Sequence, residues 1–229
     1  MKKNLLVLFL LSSLASADQL CVENYFNSRV GEKLDYQVDV DGIRAKGFRS
    51  LIKSESDVFQ FTQSVSILIA SLEEESDFIT NEIGVVPLRY RFEQLGLGSR
   101  KTEIDFIDST AQVFRKGVES NFALTEGFQD PLTFILQLQA KVNCNPSIET
   151  LVIPLAKQTQ MAEAMFVKDE QIFINSGAKN WGLQVWQRID GKKVERVGLI
   201  PELNNLLFSY EQIAGEKINR IQLIDLPLK

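Results

Sequence analysis

One stretch limits the possible folds more than any other: Gly127-Phe128-Gln129-Asp130-Pro131-Leu132-Thr133-Phe134-Ile135-Leu136-Gln137-Leu138-Gln139-Ala140-Lys141-Val142. It reads as a helix in a chain otherwise written as strands. Asp130 can accept hydrogen bonds from the free amides of a first turn. Pro131 suits the first helical position, because its missing N–H has no partner there. At 100° per residue from Leu132, apolar side chains cover about two thirds of the circumference. Thr133, Gln137 and Lys141 form a compact polar stripe on the rest. Gln139 falls inside the apolar arc, where a buried amide needs a partner, and strand backbone is the expected one. A helix this apolar must be covered on most sides. The pattern predicts a central helix over about residues 131–142 with a sheet curled around it.

The flanking sequence supplies the strands. Leu34, Tyr36, Val38 and Val40 alternate with Lys33, Asp35, Gln37 and Asp39, the period of a half-buried strand. Asp41-Gly42 follows as a hairpin signal, and Ile43–Ile52 is the expected return. Val58–Ile69 alternates again, with Gln63 alone breaking its apolar face. Glu73-Glu74-Glu75 reads as a solvated face or turn. Leu88, Tyr90 and Phe92, then Ile104 and Phe106, mark a strand pair around Gly96–Gly98, and Ala111–Phe114 and Val118–Leu124 mark another. Beyond the helix come seven expected strands: Thr150–Leu155, Met161–Val167, Gln171–Asn175, Trp181–Ile189, Lys193–Leu199, Leu206–Ile213 and Lys217–Leu226. Trp181 and Trp186, five apart, should face opposite sides of one strand, and core packing is the expected reading for each. Short strands joined by Gly-containing turns indicate an antiparallel meander, sandwich or barrel. The fold class is therefore mostly β, a strongly curved antiparallel sheet or open half-barrel around the helix.

The first residues read as an address. Lys2 and Lys3, the apolar run Leu5–Leu14 and Ala15-Ser16-Ala17 have the three parts of a secretory signal peptide, with cleavage expected after Ala17. The apolar run falls short of the roughly 20 residues that span a bilayer, and no later stretch qualifies. Residues 1–17 are thus expected to be removed, and residues 18–229 to form a single mostly-β domain. Cleavage removes Lys2 and Lys3 and no acidic residue, taking the net charge from −5 to −7. That disfavours nucleic acid as a partner. Two cysteines, Cys21 and Cys144, remain, and export favours a disulfide between them. Such a crosslink, closing a loop of about 120 residues, is worth roughly 4–5 kcal/mol at best in the chain-entropy model.

Several segments resemble the exported bacterial domain-of-unknown-function 3108 family. Leu34-Asp35-Tyr36-Gln37-Val38 with Asp41-Gly42-Ile43 is similar to its opening hairpin. Val86-Pro87-Leu88-Arg89-Tyr90 and Ile104-Asp105-Phe106 resemble the strand pair that follows. Gly127-Phe128-Gln129-Asp130-Pro131-Leu132-Thr133 resembles its most recognisable motif, where serine is commoner than Thr133. Ile200-Pro201-Glu202-Leu203 through Phe208-Ser209-Tyr210-Glu211 is similar to its last segment, although a tryptophan near Leu199 and a proline near Leu207 are absent. The resemblance implies export to the periplasm of Gram-negative bacteria and names no activity. The pattern is also similar to the open half-barrels of periplasmic lipoprotein carriers, in which a curved sheet holds apolar ligand on its concave side.

The chemistry is bounded by what is absent. The chain has no histidine, which removes the usual triads, His-based metal sites and the commonest general base. Acid pairs such as Asp105 and Asp108 stand out in no way from surface carboxylates. No catalytic residue, metal site or cofactor is expected, and Asp130 is read as a helix cap. The expected function is non-enzymatic binding of a lipid or other hydrophobic small molecule in the half-barrel. Phe59, Phe61, Leu88, Tyr90, Phe92, Leu132, Ile135, Leu136 and Gln139 are the candidate cavity lining. The alternative is an envelope assembly or scaffolding protein acting through contacts with an envelope protein.

Overall fold

In the computed structural model the described residues are 19–67, 69–96, 98–176 and 179–226. The expected signal peptide and its expected cleavage site at Ala17 lie outside them, as does Leu97 of the expected Gly96–Gly98 turn. The chain opens with a helix, α1 (residues 19–27), which the strand-centred reading missed. Its signal is the spacing of Cys21, Val22, Tyr25 and Phe26, which puts their side chains on one helical face. Val22, Tyr25 and Phe26 are buried.

Eight strands follow: β1 (Lys33–Val40), β2 (Ile43–Lys53), β3 (Phe59–Ile67), β4 (Ala70–Asn81), β5 (Gly84–Gly96), β6 (Arg100–Ile107), β7 (Thr110–Arg115) and β8 (Val118–Ala123). The central helix α2 (Thr133–Cys144) interrupts them. Then come β9 (Thr150–Ala156), β10 (Met161–Ser176), β11 (Lys179–Asp190), β12 (Lys193–Ile200), β13 (Leu206–Ala214) and β14 (Lys217–Leu223). All fourteen belong to one open antiparallel sheet. Each run is a meander, and the two meanders join where β1 pairs with β14, Tyr36 opposite Leu223 and Val40 opposite Asn219. The edges of the sheet are therefore β8 and β9, neighbours in sequence, and the sheet's middle is built from the two ends of the chain.

Two expectations are corrected. Glu73-Glu74-Glu75 lies within β4, not in a turn. Alternation carries Glu74 inward with Ser76 and Phe78, while Glu75 faces out and pairs with Arg91. The expected strands Met161–Val167 and Gln171–Asn175 are one strand, β10, whose register shifts between Lys168 and Gln171. Trp181 and Trp186, five residues apart on β11, are both buried, as expected. The turn at Pro201–Leu203 packs on β11 and covers the outer face that carries Trp181.

Helix α2 divides the interior. Phe134, Ile135, Leu138 and Val142 pack with β9–β14, and Leu132, Leu136 and Ala140 face β2–β7 and α1. Full burial of each large side chain contributes about 1.5–3 kcal/mol. Two of the three stripe residues, Thr133 and Gln137, meet protein and not water. Gln137 accepts from the Val85 amide at 2.8 Å and donates to the Ile83 carbonyl at 3.1 Å. Thr133 is fully buried, and its hydroxyl accepts from the Asp130 amide at 3.1 Å. A disulfide between Cys21 and Cys144 fastens α1 to the end of α2.

Candidate functional site

The helix fills only part of the curved sheet, and the rest of the concave side is open. Inward positions follow from register. Val38 lies opposite Ala45 on β2 and Ile221 on β14, and Val65 opposite Leu72 on β4. With Val40 and Ile67 these side chains line an apolar compartment of about 360 Å³. Beside it lies a charged compartment of about 550 Å³, floored by Leu132, Phe134 and Ile135 at the start of α2. Gln63, Glu74, Tyr210, Gln212 and Ile221 line both, so the two are halves of one cleft.

The boundary carries a buried polar network. Arg49 donates from Nε to Gln63 Oε1 at 2.7 Å, Gln63 Nε2 donates to Glu74 at 2.8 Å, and the Tyr90 hydroxyl donates to Glu74 at 2.7 Å. Gln63 thus stands between the guanidinium and the carboxylate. Burial dominates the titration of both ends. It lowers the Arg49 pKa against the pull of Tyr36 and Glu74, and raises that of Glu74 against the Tyr90 bond, Arg49 and the Gln63 bond. A second network lies across the cleft, where Arg188 is 3.2 Å from Glu195 and 3.0 Å from Asp190, and Lys193 is 2.9 Å from Glu195.

The motif leading into α2 shapes the cleft floor. Asp130 Oδ1 accepts from the amides of Leu132 at 2.7 Å and Thr133 at 2.8 Å, so the expected helix cap is in place. Reciprocal bonding by a hydroxyl at position 133 fixes the same turn. Gln129 bonds the β9 backbone through its own amide and carbonyl, to Pro154 O at 2.7 Å and Ala156 N at 2.8 Å. Its side-chain amide donates to Val85 O of β5 at 2.7 Å. One residue thus covers the β9 edge and ties it across to β5.

The nine candidate lining residues fall in different places. Leu132 and Ile135 floor the open cleft. Phe61, Leu136 and Gln139 border a small void of about 30 Å³. Gln139 donates to the Asn205 carbonyl at 2.9 Å, a structural bond to backbone. Phe59 is packed in the core, stacked on Phe78, and Tyr90 is buried with its hydroxyl on Glu74. Phe92 is half-buried against the same core. Leu88 is also half-buried, at the register shift between β4 and β5. The residues missed are Arg49, Glu74, Tyr210 and the apolar rim from Val38 to Ile221. Gln63 was the available signal, the one polar residue on an otherwise apolar strand face. Among the described residues, no three His, Cys, Asp or Glu side chains cluster so as to hold a metal ion. Nor is any helix among them long and apolar enough to cross a membrane.

Neither a protein-family model nor a curated protein sequence matches the chain. Among solved structures, it is similar to a crystal structure described as a β-barrel-like protein of domain of unknown function 1849 from Brucella abortus. The two share 13% identity with a TM-score of 0.52, over 84% of this chain and 95% of that one. The chain is thus similar in fold to a β-barrel-like protein, and at that identity the likeness extends to fold alone.

Proposed function

We propose that this is an exported periplasmic protein, released by cleavage after Ala17, that binds a lipid or other hydrophobic ligand in the cleft and catalyses no reaction. The observation that carries this reading is the apolar compartment beside α2. Burying six aliphatic side chains would be the default for a plain core, yet Val38, Val40, Ala45, Val65, Ile67 and Leu72 surround open space. Export is supported by the leader-like residues and the Cys21–Cys144 disulfide, a bond favoured in oxidising compartments. Membership of the 3108 family is supported by the hairpin and the Gly127–Thr133 motif, whose Gln129 and Asp130 hold the cleft floor. The test is native mass spectrometry with organic extraction on protein purified from the periplasm without detergent. A stoichiometric hydrophobic adduct is expected. A clean apo mass that stays clean when lipids are offered would overturn the reading.

A second reading, an envelope assembly protein, draws on β8. This edge strand has five of its six residues exposed and, among the described residues, no strand paired on its outer side. Such an edge can accept a strand from a partner. Co-purification of an envelope protein that is lost when Asn121 is replaced by proline, with an empty cleft, would favour it over the first.

A further inference from the structure

The cleft is not uniformly greasy, and its charges do not cancel. Five basic and three acidic side chains line its charged compartment. Glu195 engages Arg188 and Lys193, Asp190 engages Arg188 and Lys157, and Glu74 is taken by Tyr90 and Gln63. Arg49 and Arg115 remain, with no carboxylate within 4.0 Å among the described residues. Arg49 is only 6% exposed, and its Nε bond to Gln63 leaves both terminal nitrogens for the cleft. The Tyr36 and Phe61 rings flank the guanidinium at 5.4 and 5.9 Å. A buried cation with no anion beside it is costly, and an anion supplied by a ligand removes that cost.

On this basis, and resting on the binding reading above, we infer that the cleft selects a single-chain amphiphile with a compact anionic head. The head sits on Arg49 and Arg115 in the charged compartment. The chain runs along β2 and β3 past Ala45, Val65 and Ile67 toward the hairpin turns. The geometry suits this arrangement, because Gly47 and Ala45 follow Arg49 on the inner face of β2, and Gln63, Val65 and Ile67 succeed one another on β3. The β2 and β3 backbones approach closely at Gly47, where a Cβ would meet the Ser64 carbonyl at 2.5 Å, so no side chain projects at that point. The apolar compartment of about 360 Å³ has room for roughly a dozen methylene-sized groups, each taken at about the ~30 Å³ of a water. A carboxylate and a phosphate monoester share the required chemistry.

The test is calorimetric titration of the full mature protein with decanoate, decyl phosphate, decanol and decyltrimethylammonium, each below its micelle concentration. A charge-assisted bond to a desolvated arginine corresponds to about a tenfold to hundredfold gain in affinity. The two anions should bind at least about tenfold tighter than decanol, and the cation weakest. Arg49→Gln should bring the anions down to the level of decanol, and Arg49→Lys should retain part of the preference. The ranking on the wild-type protein needs no variant, so a failure of R49Q to fold leaves the test standing, with R115Q as the second variant. The stronger of the two anions identifies the head-group class. Equal binding of all four probes would overturn the head-group inference and leave the hydrophobic-binding reading intact. No binding of any probe would overturn both. Acetate and inorganic phosphate binding as tightly as the decyl anions would make the site an anion site and overturn the amphiphile.

Discussion

At the scale of single residues, Asp130 is the most consequential side chain outside the cleft. It is fully buried, and burial pushes its pKa up to about 6 from the ordinary 3.8. The Thr133 and Leu132 amides and the Ser76 and Thr133 hydroxyls oppose that shift, and Tyr90 is the other titratable group that feels its charge. The folded state therefore holds the proton more tightly than the unfolded chain. Stability from this group is full below about pH 3.8 and is lost as pH rises through about 6, by up to about 3 kcal/mol. Asp130→Asn keeps an acceptor for the cap and removes the charge. Urea titrations at pH 4 and pH 7 should show D130N gaining up to about 3 kcal/mol relative to wild type over that interval. A difference that stays constant with pH would contradict the assignment.

At the scale of elements, local pattern and long-range contact part company. The alternation from Lys33 to Val40 marks β1 to the residue, and Asp41-Gly42 marks the turn after it, because period and turn chemistry are local properties. The helix was visible for the same reason, although it begins at Thr133 and not Pro131. β4 was hidden because three consecutive acids outweigh alternation until Gln63, Tyr90 and Arg91 are known to meet them. The same limit applied to the site. Arg49 and Glu74 are distant in sequence, and only the pairing of β2, β3 and β4 places Gln63 between them. The cysteines were the exception, since two cysteines allow only one intrachain pairing. Their bond joins α1 to α2, so replacing both with serine should free α1 from the core. Removing a crosslink of this span costs up to about 4–5 kcal/mol. Urea midpoints of the double variant should fall accordingly, with Tyr25 and Phe26 becoming more protease-accessible, and an unchanged midpoint would refute a structural role.

At the scale of the whole molecule, the sheet depends on one pairing that no local pattern announces. β1 and β14 are separated by nearly the whole chain, yet they hold the two meanders together. Truncation after Ala214 removes β14 while leaving both meanders otherwise complete. Circular dichroism and size exclusion should show this variant expanded or aggregated, with loss well beyond the share of the fifteen residues removed, whereas a native-like profile would mean that contacts other than β1 with β14 hold the halves together.

The same pairing sets a timetable. A chain delivered amino end first presents β1 early, with β2 on one side and nothing on the other, and Leu223 arrives only at the end. Through that interval β1 offers a complete row of unpaired backbone groups, and a β14 from any neighbouring copy satisfies them as well as its own. The crowding of newly delivered chains, more than heat or acid, is therefore the condition under which this architecture exchanges strands between molecules.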